Sequence, residues 1–199
     1  MPASSFERIR QHESVGGRVT LFNWPGAPEL DHADDRGLYM MALFQLGQPQ
    51  LAAQLIDAPA GAGSRRHPRY HHMRASLLET AGKLEEARKA YLRALILERG
   101  RPETGINLGL LLGRMGKPQE GLEYLDKVLA SYPLADNALR NRALARRALG
   151  DLQGFEQDLV RAFELRPDAT LARALAEHFR ARADEDAAAR YTRAAESLR

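Results

Sequence analysis

The sequence predicts an all-α chain, a solenoid of antiparallel helix pairs preceded by a short irregular N-terminal extension. Three observations lead there. Small or apolar residues return at a fixed step of about 34 residues: Ala75, Gly109 and Ala143; Ala87, Gly121 and Phe155; Ala94, Val128 and Ala162. Turn-forming residues keep the same step, at Gly82, Gly116 and Gly150 and at Pro133 and Pro167. Between these markers the apolar residues are spaced by three and four, the period of one helical face. Several columns in phase define an internal repeat of helical hairpins. One hairpin cannot cover its own apolar face, so neighbours must stack.

Residues 1–31 stand outside the period. "SSFERIRQHE" is expected to form a short helix capped by Ser4 or Ser5. In "GGRVTLFNWPGAP", Val19, Leu21 and Asn23 alternate with Thr20, Phe22 and Trp24, as in an extended segment. Two readings of that segment stay open. Phe22 and Trp24 pack over the first helix pair and seal it, or the segment occupies a groove or pairs with its copy in a second molecule.

Residues 32–199 form the array, with units at about 33–58, 68–101, 102–135 and 136–169 and a closing pair at 170–199. The stretch 57–70, with Pro59, Gly61, Gly63 and Pro68, is expected to be a loop. In "LEEARKAYLRALIL", Leu84, Ala87, Tyr91, Ala94 and Leu95 share a helical face; Ile106, Gly109, Leu110 and Gly113 are expected to do the same. Gly109 and Gly121 let two antiparallel helices approach closely. Gly82, Gly116 and Gly150 end each first helix by taking positive φ, and Pro133 and Pro167 follow the second helix.

"INLGLLLGRMGKPQEGLEYLDKVLASYP" and "ALRNRALARRALGDLQGFEQDLVRAFELRP" resemble tetratricopeptide repeats. "HHMRASLLETAGKLEEARKAYLRALILER" is similar, with Arg99 where the terminal Pro is usual, and "RGLYMMALFQLGQPQLAAQLI" reads as a leading unit one residue out of phase. "LARALAEHFRARADEDAAARYTRAAESLR" looks like a shortened closing pair. The resemblance implies a right-handed superhelix whose concave face is lined by the first helix of each unit, and a protein-interaction role without catalysis. Arg74, Arg142 and Arg146 depart from it, standing in first-helix slots that the family fills with apolar or aromatic residues. Their stems are expected to cover apolar surface while the heads reach solvent or a carboxylate.

Helical geometry assigns the groove-facing positions. Asn107 and Arg114 belong to the 102–135 unit, Arg140, Asn141 and Arg147 to the 136–169 unit, and Arg69 and His72 to the 68–101 unit. An Asn amide offers both donor and acceptor to a peptide backbone, and Arg forks suit carboxylates. The expected partner is therefore a protein or peptide, acidic or carboxylate-bearing. Family members that grip chaperone C-termini use a clamp of Lys, Asn and Arg across three repeats. Here His72 and Ser76 stand where Lys and Asn belong, so chaperone-tail binding is not expected. An adaptor is the leading function. The alternative is a secretion- or folding-type chaperone holding an unfolded client, compatible with a homodimer.

Other chemistry is not expected. The chain has no cysteine and a net charge of +3, which removes thiolate sites and falls short of a dense nucleic-acid-binding patch. "RNRALARR" concentrates arginine, but Arg140 and Arg147 point to a different side from Arg142 and Arg146, and no aromatic ladder accompanies them. His67, His71 and His72 lack a neighbouring carboxylate, so no metal is expected. "GAG" at 61–63 lacks the strand and Lys of a phosphate loop. No catalytic set, cofactor or membrane span is expected. "MPASSFERIRQHES" lacks an apolar secretory core, so a cytoplasmic location is expected.

Overall fold

The computed structural model describes Met40, Leu43 and residues 49–54, 56, 65–97 and 101–198. Among these residues every regular element is helical. They are α1 (Pro49–Ala53), α2 (Pro68–Thr80), α3 (Leu84–Leu97), α4 (Pro102–Arg114), α5 (Pro118–Ser131), α6 (Asp136–Ala148), α7 (Leu152–Leu165), α8 (Ala169–Ala181) and α9 (Glu185–Ser197). The chain divides into two compact units, Met1–Arg99 and Gly100–Arg199. In the first, α2 and α3 form a hairpin and α1 lies against α2. In the second, α4–α5, α6–α7 and α8–α9 are hairpins, with α5 and α4 packed on α6 and α7 packed on α8.

The extension at 1–31, with its Ser4 or Ser5 cap and its Val19–Trp24 stretch, lies outside the described residues. So do residues 57–64 of the expected 57–70 loop. The end of that loop is corrected: Pro68, Arg69 and Tyr70 are the first turn of α2. Pro68 starts the helix because its missing N–H is one that the first turn would leave unpaired anyway. Pro102 and Pro118 start α4 and α5 in the same way. The later helices use carboxylate caps instead: Asp151, Asp168 and Asp184 accept from the backbone N–H of Gly154, Leu171 and Ala187.

Each hairpin turns through one left-handed residue. Gly82, Gly116 and Gly150 have φ of 76°, 74° and 82°. The N–H of the following Lys83, Lys117 and Asp151 donates over 2.9 Å to the carbonyl of Leu78, Leu112 and Arg146. This closes the first helix and reverses the chain. The closing hairpin makes the same turn with Ala183 at φ 58°, while Asp184 N–H donates to Phe179 over 3.0 Å.

Close approach inside α4–α5 depends on glycine. A Cβ on Gly121 would lie 2.6 Å from the Gly109 carbonyl oxygen, and one on Gly109 would lie 2.7 Å from Leu125 Cγ. Gly105 is as constrained, against Val128 at 2.6 Å. The face expected from Ile106, Gly109, Leu110 and Gly113 is corrected. The buried side of α4 carries Thr104, Gly105, Leu108, Gly109, Leu111 and Leu112, with Ile106 partly buried against the core, whereas Gly113 is exposed and Leu110 is 37% exposed. Both sets have helical spacing; contact with α5 selects between them. In α2–α3 and α8–α9 the corresponding slots hold Ala75 and Ala87, and Ala176 and Ala188, all buried.

Two substitutions test this account by thermal unfolding. Gly121→Ala is expected to destabilise by about 2 kcal/mol or more, because the Gly109 backbone cannot move aside as a side chain would. Melting should fall by at least about 4 °C. Ala183→Gly is expected to stabilise by about 0.5–1 kcal/mol, since relief of left-handed strain exceeds the added entropy of the unfolded chain.

Candidate functional site

The groove residues assigned from sequence fall in both units. Arg69 and His72 lie on α2, where Arg69 is exposed and the His72 ring sits edge-on to Tyr91 of α3, 5.6 Å between centroids. The other five lie in residues 100–199. There α4 packs on α6, and Asn107 and Asn141 occupy equivalent positions on these neighbouring helices. Both are half-buried, and no hydrogen bond to another described residue engages either amide. One turn further along each helix stand Leu110 and Leu144, 37% and 44% exposed. Two helices thus present an amide followed by an exposed leucine, in register. Exposed Arg114 and Arg147 sit beyond these leucines, the Arg147 guanidinium resting over the Phe155 ring at 5.4 Å.

Arg140 is engaged within the array. Its guanidinium pairs with Asp168, lies 3.5 Å from Asp136 and donates to the Arg166 carbonyl over 3.1 Å. Asp168 is also the N-cap of α8, accepting from Leu171 N–H over 2.8 Å. Partial burial alone would raise the Asp168 pKa, but the Leu171 N–H and Arg140 outweigh it and hold the carboxyl below its ordinary value. One carboxylate therefore starts α8 and ties it to α6.

Arg142 and Arg146 turn to the opposite side of α6 and reach a residue that sequence reasoning missed. Asp158, on α7 and only 3% exposed, accepts from Arg142 Nε and Nη2 over 2.9 and 2.7 Å and from Arg146 Nη1 over 2.9 Å. Arg142 Nη1 also donates to Asp126 of α5 over 2.8 Å. Donation to the Asp158 carboxylate raises the Arg142 pKa above its usual value, against a burial that would lower it. Arg74, the third unusual arginine, donates to the Ile56 carbonyl over 3.2 Å. A signal for Asp158 was present: an aspartate in the second-helix slot that holds Ala90 and Tyr124 in the preceding repeats.

A second polar contact joins α7 to α8. Glu156 accepts from His178 Nε2 at 2.9 Å and pairs with Arg182, while the His178 ring stands edge-on to Phe155 at 5.0 Å. Among the described residues no group of three His, Cys, Asp or Glu is placed to hold a metal. No helix among them is long and apolar enough to cross a membrane.

Comparison with known proteins places this geometry. The tetratricopeptide repeat profile matches residues 41–103 and 106–169. Among solved structures, the chain is similar to MamA (41-end) from Desulfovibrio magneticus RS-1, with TM-score 0.70 and 18% identity over 83% of this chain and 95% of that one. It is also similar to PilW, described as a widely conserved type IV pilus biogenesis factor, with TM-score 0.67 and 20% identity over 82% of this chain and 76% of that one. A MamA structure labelled MSR-1 superposes with TM-score 0.65 and 18% identity, covering 83% of this chain and 97% of that one. No curated protein matches at the level of sequence. At these identities the structural likeness establishes the fold alone. With the repeat profile spanning more than half of the sequence, the chain belongs to the tetratricopeptide repeat family, whose helical arrays are protein–protein interaction scaffolds.

Proposed function

We propose that the protein is a non-enzymatic adaptor that binds an extended segment of another protein across the outward faces of α4 and α6. The observation that carries this is the repeat-related pair Asn107 and Asn141, half-buried with both amides unengaged by any described residue. Each amide can donate to a carbonyl and accept from an N–H of the same strand, so two in register suit a peptide backbone regardless of its side chains. Leu110 and Leu144 supply apolar contact beside them, and Arg114 and Arg147 favour an acidic or carboxylate-bearing partner. Arg140 contributes through α8 rather than by direct contact, because Asp168 already holds its guanidinium. Arg69 and His72, in the other unit, are not required by this reading.

A chaperone role is the second reading. It is favoured by the exposure of Leu110 and Leu144, which would suit an unfolded client. The two readings separate by mutation. On an array of overlapping acidic and neutral peptides, Asn107→Ala/Asn141→Ala is expected to weaken adaptor binding about 30-fold. That corresponds to about 1 kcal/mol lost at each amide. Equal capture of every peptide by the double variant removes the adaptor reading. If Leu110→Ser/Leu144→Ser instead abolishes suppression of client aggregation while the asparagine variant does not, the chaperone reading replaces it.

A further inference from the structure

We infer that Arg142, Arg146 and Asp158 are positioning residues that set the rotation of α6 about its own axis and thereby hold Asn141 outward. The functional half of this depends on the recognition face proposed above; the packing half does not.

Successive hairpins fill three equivalent slots with different residues. In α4–α5 these slots hold Leu108 and Leu112, 0% and 1% exposed, opposite Tyr124. In α8–α9, one residue shorter in register, they hold Leu175 and Phe179 opposite Tyr191, with Phe179 stacked on Tyr191 at 5.5 Å and 5°. In α6–α7 the same three slots are Arg142, Arg146 and Asp158. Among the described hairpins α6–α7 alone sets a carboxylate against two arginines there, the slots of α2–α3 being Arg74, Leu78 and Ala90.

Besides the tie of Arg140 to Asp168 near its start, α6 has mostly small side chains to fix its orientation. Its buried residues are Ala138, Leu139, Ala143 and Ala145, three of them alanines. Apolar burial is non-directional and proportional to area. Contacts made mainly by alanine therefore do little by themselves to select one rotation of the helix. Charge-assisted hydrogen bonds are directional and weaken steeply off-axis. Asp158 receives three of them at 2.7–2.9 Å, and its burial leaves water no place to substitute. Arg142 also reaches Asp126, so it is held by the second helices of two consecutive hairpins. The α7 slot equivalent to Asp126 is Val160, so the same bridge has no counterpart at the next hairpin. Asn141 immediately precedes Arg142, and any rotation that breaks the cluster carries Asn141 with it.

Backbone hydrogen exchange read helix by helix, together with peptide affinity, tests this on the full chain. In Asp158→Asn the amides of α6 are expected to exchange on the order of tenfold to a hundredfold faster, because two arginines lose their charged partner. The affinity for the best peptide from the array should fall with it. Arg142→Leu/Arg146→Leu/Asp158→Tyr, which installs the residues of the preceding hairpin, is expected to recover thermal stability but to keep the weakened peptide affinity of Asp158→Asn, because an apolar contact holds the helix without fixing its rotation. If Asp158→Asn does not fold, Asp126→Asn gives a milder form, with exchange in α6 a few-fold faster. Unchanged α6 exchange in whichever of these two folds overturns the positioning role whatever the peptides do, and so does full peptide affinity in the apolar triple variant. Faster exchange with unchanged peptide affinity overturns the link to recognition. The Asn107→Ala/Asn141→Ala variant judges the recognition face separately.

Discussion

Two helices of a hairpin can pack only as closely as the side chains between them allow, and the rest of this structure depends on that limit being set at one point per hairpin. In α4–α5 the point is Gly109 against Gly121, where a Cβ would reach 2.6 Å from a backbone oxygen. With the backbones in contact there, Leu108, Leu112 and Leu125 close around them with no more than 1% exposure. In α6–α7 the equivalent pair is Ala143 and Phe155, both buried. The left-handed residue in each turn then fixes where the second helix begins.

Among these hairpins the ionic cluster of α6–α7 is a deliberate exception in physical terms. Burying a leucine contributes roughly 2 kcal/mol, so the slots of Leu108 and Leu112 are worth several kcal/mol to their hairpin. Replacing them by arginines opposite a buried aspartate gains Coulomb energy but loses hydration, and the balance is often close to neutral. The difference lies in direction rather than in depth. A greasy contact tolerates sliding and turning, whereas a carboxylate gripped by two guanidinium groups does not. The helix so gripped carries Asn141 and Leu144, the outward residues that repeat Asn107 and Leu110 of α4.

Neighbouring polar contacts extend the same logic toward the C-terminal hairpin. Asp168 caps α8 and pairs with Arg140 of α6. Glu156 of α7 meets His178 and Arg182 from the other end of α8. The α8 helix is thus tied at both ends by charges, with Leu171, Leu175 and Ala176 buried between. Arginine along α6 serves internal geometry, three of its arginines being held by Asp168, Asp126 and Asp158.

The sequence by itself determined the repeat, the helix pairs and their turns, because each depends on local chemistry. Glycine alone takes positive φ without strain, proline alone starts or ends a helix for want of an N–H, and apolar spacing of three and four survives any tertiary arrangement. It also placed Asn107 and Asn141 in equivalent slots, since one period separates them. Only the tertiary structure decided which side of α4 is buried, because Leu110 and Gly113 continue the helical spacing of Ile106 as well as Leu108, Leu111 and Leu112 keep theirs. Only the fold could pair Arg142 and Arg146 with Asp158, and Arg140 with Asp168, since these partners are far apart in the chain and neither ion pair follows from periodicity. Local propensity is written in neighbouring residues, whereas the orientation of one helix against another depends on contacts that exist only after the chain has closed upon itself.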